Sequence, residues 1–289
     1  MHVFVTGATG WVGSAVVADL LGAGHRVSGL ARSEPKAAVL ASAGAAPVRA
    51  SLDDAEALRQ AVADADAVIH TAFDHDFSRF AASAAEDERN IALLGDALAG
   101  SDRPLLVTSG LSRLAAGRPA TEADVPDPAA PRRSEPAARA LAERGLRVAT
   151  IRLAPTVHGV GEHGFLSILA GIARRQGVSA WPGAGNNRWA AVHRSDAARL
   201  YRLALEDGLS EPVYHAVAES LPMRTIAEAI GTALGLPCRS EPVEHFGWFG
   251  AFAAAGMDAS AELTRSRTGW EPTGPALLAD LAAPGYFSG

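Results

Sequence analysis

Short apolar runs spaced by amphipathic stretches organise the first two thirds of the chain. Residues 2–5, 26–30, 47–50, 67–72, 105–109, 147–153 and 213–218 are short, apolar and mostly rich in β-branched side chains, which predicts buried strands. Between them, 14–21, 55–63, 79–98 and 131–144 carry helical spacing, and Ser51-Leu52-Asp53-Asp54 supplies a cap for the second of these. Strands that alternate with helices imply βαβ units, right-handed crossovers and a parallel sheet. The expected fold class is therefore α/β, doubly wound. Residues 118–131 are Pro-rich and acidic and read as a surface loop.

The first strand runs straight into Thr6-Gly7-Ala8-Thr9-Gly10-Trp11-Val12-Gly13, and a helix follows at once. Strand, glycine turn and helix together form a pyrophosphate site. Glycine permits the tight turn and the close approach of backbone N–H groups, and the helix N-terminus adds partial positive charge. Gly7, Thr9, Gly10, Trp11, Val12 and Gly13 are the candidate lining. The second strand ends in Ala31-Arg32-Ser33. Where a carboxylate at this place would bond ribose hydroxyls, a guanidinium suits a 2′-phosphate. Arg32 and Ser33 thus point to NADP(H) rather than NAD(H), with Glu34 as the neighbouring residue that argues the other way.

Three glycines spaced three apart, T-G-x-x-G-x-x-G, resemble the extended and atypical short-chain dehydrogenases/reductases, including the NAD(P)-dependent epimerase/dehydratase group. Further segments are similar in order along the chain: AVIHTA at 67–72, APTVHG at 154–159, RWAAVHRSD at 188–196 and TGWEP at 268–272. The resemblance implies a Rossmann domain at 1–155, with 187–218 returning to it, and a small C-terminal substrate lobe made of 156–186 and 219–289. It also implies that Leu52 and Asp53 lie against adenine. Thr71, Ala72 and Thr108 would pass beside the cofactor, and Pro155 and Val157 would run under the nicotinamide. A homodimer through the helices near 79–98 and 131–144 would follow the same pattern.

The chemistry expected of that family is missing. Its reductases use Tyr-x-x-x-Lys on the helix after the fifth strand for acid–base work. Here the tyrosines are Tyr201, Tyr214 and Tyr286, the single lysine is Lys36, and Pro131 and Glu135 stand where the pair belongs. Three readings follow. The preferred one is an NADPH-dependent reductase of a small, fairly apolar ketone, aldehyde, imine or enone, its proton coming from Thr108, Ser109, Ser112 or His158. The second is a non-catalytic NADP(H) sensor or scaffold of the NmrA-like kind. The third, a nucleotide-sugar epimerase or dehydratase, suffers most from losing the pair. Phe246, Trp248, Phe249 and Phe252 form a late aromatic cluster that suits either core or an apolar pocket wall.

Composition narrows the remaining classes. In 289 residues the net charge is −6 and no basic run occurs, which argues against a nucleic-acid or anionic-membrane surface. Cys238 is the sole cysteine, so no disulfide forms within one chain. Asp74-His75-Asp76 and His158 with Glu162-His163 match no recognised metal spacing, and no metal is expected. A chain that opens on a strand and lacks a long apolar run is expected to be cytoplasmic, acting on a small molecule.

Overall fold

The computed structural model describes residues 1–112 and 114–287. The chain runs β1 (His2–Thr6), α1 (Trp11–Gly22), β2 (Arg26–Ala31), α2 (Glu34–Ser42), β3 (Ala46–Arg49), α3 (Ala55–Ala63), β4 (Ala67–His70), α4 (Phe80–Leu98), β5 (Leu105–Gly110), α5 (Ser134–Glu143) and β6 (Val148–Leu153). It continues through β7 (Thr156–His158), α6 (Phe165–Gln176), β8 (Ser179–Pro182), β9 (Arg188–His193), α7 (Arg194–Glu206), β10 (Val213–Ala216), β11 (Glu219–Pro222), α8 (Met223–Leu234) and β12 (Cys238–Glu241). Three short helices close it: α9 (Gly250–Ala254), α10 (Glu262–Thr268) and α11 (Leu277–Leu281).

Seven strands form the central sheet in the order β10-β6-β5-β4-β1-β2-β3, and every pair in it is parallel. The fold is Rossmann-like. Strand order reverses between β1 and β4, and ligands of such sheets bind at the carboxyl ends of the strands beside that crevice. β4 is buried throughout and β1 almost so, as continuous apolar runs require when helices cover both faces. Val5, Ile69 and Leu106 pack toward α1 and α7, whereas Phe4, Val68 and Val107 pack toward α3, α4 and α5.

The strands of the central sheet lie within two residues of their expected bounds. Three differences have local causes. α1 begins at Trp11, directly after the turn, because Gly10 acts as its N-cap. α5 begins at Ser134, after Pro131 and the two arginines that follow it. α2 escaped the apolar pattern because its Val39 faces solvent while Ala37 and Leu40 turn inward. In the 187–218 region, β10 joins the edge of the central sheet, whereas β9 pairs with β7 and β11 in a separate three-stranded sheet. A second hydrophobic core, in which Trp189, Met223, Ile226, Phe249 and Leu277 meet, draws on β9 of the 187–218 region as well as on the segments expected to form a lobe. Among the described residues, no helix is long and apolar enough to cross a membrane.

Candidate active site

The glycine turn is built by close approach. Gly7 adopts a φ of +67°, and a Cβ there would sit 2.6 Å from the Ala72 backbone N. A Cβ on Gly13 would meet the Gly7 carbonyl oxygen at 2.1 Å. The Thr71 hydroxyl donates to the Thr6 carbonyl at 2.8 Å, so the turn is clamped onto the end of β4. No side chain caps α1, and its first turn carries no carboxylate. Its leading N–H groups therefore remain available to an anion, and the cradle fits a dinucleotide pyrophosphate. The Trp11 indole donates to the Val157 carbonyl at 2.8 Å, bringing the turn against β7. Arg194 stacks on that indole at 4.2 Å and donates to Ser14 Oγ at 2.6 Å, which adds positive charge near the helix start.

Next to the turn, Arg32 is exposed at the carboxyl end of β2, and no carboxylate among the described residues pairs with it. Glu34 pairs with Arg49 of β3 instead. Ser33 is the N-cap residue of α2, and its hydroxyl is not spent on capping. Leu52 is half-buried and packs on the sheet's second face. Asp53 is exposed, while the capping role at α3 belongs to Asp54, which accepts from the Ala57 N–H at 3.1 Å.

A buried polar relay crosses the carboxyl ends of β1, β4 and β5. The Asp87 carboxylate can only accept, so His70 donates to it from Nε2 at 2.9 Å and faces the Thr6 hydroxyl at 2.7 Å through Nδ1. Ser134 donates to the other Asp87 oxygen, and Arg132 Nε donates to Ser134 Oγ at 2.9 Å. Thr108 donates to the His70 carbonyl at 2.7 Å and receives the Tyr201 hydroxyl at the same distance. Burial raises the Tyr201 phenol well above its usual value, so it stays protonated. The expected role of Thr108 as a proton donor meets a physical obstacle, since its one proton is committed to a backbone carbonyl. Ser109 is buried and, by strand alternation, shares the α4–α5 side with Val107. Ser112 is exposed in the turn beyond β5.

Glu135 does not replace the missing lysine. It is 1 % exposed and clasps the fully buried Arg152 of β6 with two bonds of 2.7 Å. Arg152 also donates to the Thr121 carbonyl and to His215 Nε2, so the 118–131 stretch is tied to the sheet. Pro131 is exposed. The side chain that reaches the strand ends is Arg132. It donates to the Thr108 carbonyl at 3.3 Å, and its guanidinium lies 4.2 Å above the Phe73 ring. Motif alignment missed it by one position, and the only sequence signal was an arginine beside the vacant tyrosine slot.

His158 is 1 % exposed, with Nδ1 2.8 Å from Asp280 of α11. Burial lowers its pKa, against the opposing pull of Asp280. This pairing makes His158 an anchor between β7 and the last helix, and leaves it poorly disposed to reach a nicotinamide beyond Pro155 and Val157, both of which are half-buried. Of the acidic residues in the two His-containing clusters, Asp74 pairs with Arg79, Asp76 accepts from Ser78, and Glu162 accepts from the Gly164 N–H and the Ser167 hydroxyl. The aromatic residues divide. Phe246 and Phe249 are core, whereas Trp248 is 60 % exposed and Phe252 half-exposed, facing Phe77 from the loop after β4.

Comparison with known proteins agrees with this geometry. A profile described as NAD(P)H-binding matches residues 7–156. An uncharacterized protein of Schizosaccharomyces pombe is 45% identical over 99% of this chain and 100% of its own length. A 4-hydroxy-2-methyl-3-oxo-4-farnesyl-3,4-dihydroquinoline-1-oxide ketoreductase of Stigmatella aurantiaca is 28% identical, spanning 74% of this chain and 67% of its own. The dTDP-glucose 4,6-dehydratase of Streptomyces venezuelae, solved with NAD, superposes with a TM-score of 0.79 at 20% identity, covering 98% of this chain and 95% of that one. With the profile running from the glycine turn to the start of β7, over half of the chain, the chain belongs to the NAD(P)H-binding family, and its fold is that of epimerase- and dehydratase-type structures.

Proposed function

We propose that the protein is an NADPH-dependent reductase of a small, fairly apolar carbonyl-type compound. The observation that carries this reading is the half-exposed aromatic surface that starts at Phe73, one residue beyond the Thr71-Ala72 contact with the glycine turn. A sugar nucleotide calls for a polar pocket, whereas a wall of phenyl rings favours an apolar substrate. The preference for NADPH rests on Arg32 and Ser33, with Glu34 drawn away by Arg49. When bound, the cofactor supplies the hydride. The ketoreductase relative acts, by its name, on a farnesylated 3-oxo-dihydroquinoline-1-oxide, which fits an apolar substrate here.

The absence of Tyr-x-x-x-Lys favours the second reading, a cofactor sensor. One experiment divides the two. NADPH and NADH are titrated by nicotinamide fluorescence, and turnover is then followed by loss of reduced-nicotinamide absorbance with a panel of ketones, aldehydes, imines and enones. Tight NADPH binding with turnover supports the reductase. Tight binding with no turnover across a broad panel favours the sensor, and weak binding of both dinucleotides sinks both readings.

A further inference from the structure

Six aromatic side chains meet between the loop after β4 and the lobe, and none of them is buried. Phe73, Phe77, Phe80, Phe165 and Phe252 are half-exposed, and Trp248 is 60 % exposed. Phe77 is their centre. Its ring lies 5.1 Å from Trp248, 5.7 Å from Phe252, 5.9 Å from Phe80 and 6.0 Å from Phe165. Behind this layer, Trp189 and Phe249 are completely enclosed, with Phe165 and Phe252 packed directly on them, so the wall is backed by a rigid core and only its outer faces stay open. Apolar surface concentrated in this way, beside a cofactor turn, marks a site that another apolar body covers. Facing phenyl rings stack best on a planar one.

Arg132 stands at the strand end of the same wall, over Phe73, which itself packs on Phe80 at 5.5 Å. Its Nε and one Nη are occupied by Ser134 Oγ and the Thr108 carbonyl, so the fork is held in one orientation. Among the described residues its second Nη makes no hydrogen bond and no carboxylate pairs with the guanidinium. Asp87 balances the charge only at one remove, through Ser134. A partly buried cation with a donor to spare, and no acid beside it, suits an oxygen that gains negative charge.

We propose that Arg132 holds the carbonyl oxygen of a planar, conjugated substrate stacked on the Phe77 wall, supplying the electrostatic assistance that the tyrosine–lysine pair gives elsewhere. This rests on the reductase reading. As the carbonyl carbon accepts the hydride pair from the reduced nicotinamide, the C=O π pair moves onto oxygen. The Arg132 N–H groups stabilise that oxyanion, water delivers the proton, and the dinucleotide is left oxidised. The alkoxide so formed is basic enough to take this proton from water, so no side-chain acid is needed. Arg132 is then a catalytic residue, and the His70–Asp87–Ser134 relay positions it.

The test uses the full chain with two probes, a naphthalene carboxylate that cannot be reduced and phenanthrenequinone, which can. Binding of the carboxylate in the presence of NADP is read by tryptophan fluorescence. R132Q is expected to weaken it at least about tenfold and R132K by about threefold, with NADPH affinity within about twofold of the parent. Phe77→Ala is expected to weaken the carboxylate without altering NADPH. Reduction of the quinone falls about 100-fold in R132Q, as when an oxyanion donor is removed. Added guanidinium restores part of the turnover of R132A, which separates a lost donor from a disturbed fold. Unchanged carboxylate binding in R132Q, in protein that still binds NADPH, overturns the role of Arg132 alone. Failure of the unaltered protein to bind NADPH instead defeats the reductase reading beneath it.

Discussion

Arg32 and Gly13 depend on the same cofactor in opposite ways, one by offering a charge and the other by offering no side chain. If Arg32 receives the 2′-phosphate, Arg32→Ala removes charge-assisted hydrogen bonds that contribute about 1.5–3 kcal/mol, and NADPH affinity falls about 10- to 100-fold while NADH is unaffected. Equal effects on the two dinucleotides, measured by fluorescence titration, would remove Arg32 from that role. Gly13→Ala puts a methyl 2.1 Å from the Gly7 oxygen, which only a backbone shift can relieve. Binding of both dinucleotides is expected to fall together, with a stability loss of about 1–3 kcal/mol seen in denaturant melts. The glycines were legible in the sequence because what they do is local: the turn, its spacing and the start of the next helix sit in eight consecutive residues. Arg132 was not, because its meaning comes from Phe73, Thr108 and Ser134, which the fold gathers from three places. His158 is the converse case: its motif position is suggestive in the sequence, while its contact with Asp280, more than a hundred residues away, is not.

Elements were legible in proportion to their burial. The central strands announce themselves because a parallel strand covered on both faces must be apolar throughout, whereas β3, largely exposed at the sheet edge, is recognisable mainly by its place just before the Ser51-to-Asp54 cap. β7, β8, β11 and β12 are three or four residues long and form small sheets whose pairings no local pattern encodes. α5 has a second function that its sequence conceals. Glu135 joins this helix to β6 through Arg152, and through Arg152 to the 118–131 stretch. Because both charges are buried, removing one leaves the other without a partner. Arg152→Met is expected to cost about 3–5 kcal/mol, and the Arg152→Met/Glu135→Leu pair far less than the sum of the two single changes. A double-mutant cycle in urea measures this, and simple additivity would refute the coupling.

At the scale of the whole molecule, two buried histidines, one on each of two sheets, join strands to the C-terminal segments of the chain. His158 on β7 meets Asp280 of α11, and His215 on β10 donates from Nδ1 to the Ser260 carbonyl while its Nε2 accepts from Arg152. Burial lowers the pKa of both. At His215 the Arg152 charge adds to the effect, with Glu122 and Glu135 opposing it. At His158 the Asp280 contact opposes it and His193 reinforces it. A histidine whose folded pKa lies below its unfolded value of about 6.5 binds its proton more readily once the chain unfolds. The stability that the neutral rings contribute is therefore complete above about pH 6.5 and is lost as the pH falls from there through the depressed folded values. His215 carries the larger share, because its proton would displace the Arg152 bond and set two cations face to face, whereas a protonated His158 still has Asp280. Melting temperatures are expected to drop between about pH 7.5 and pH 5.5, and His215→Gln to flatten that drop at the expense of some stability at the upper pH. A parent protein that melts alike at both values would show that these junctions do not set its acid sensitivity. A variant that retains the full slope would move the origin to another group.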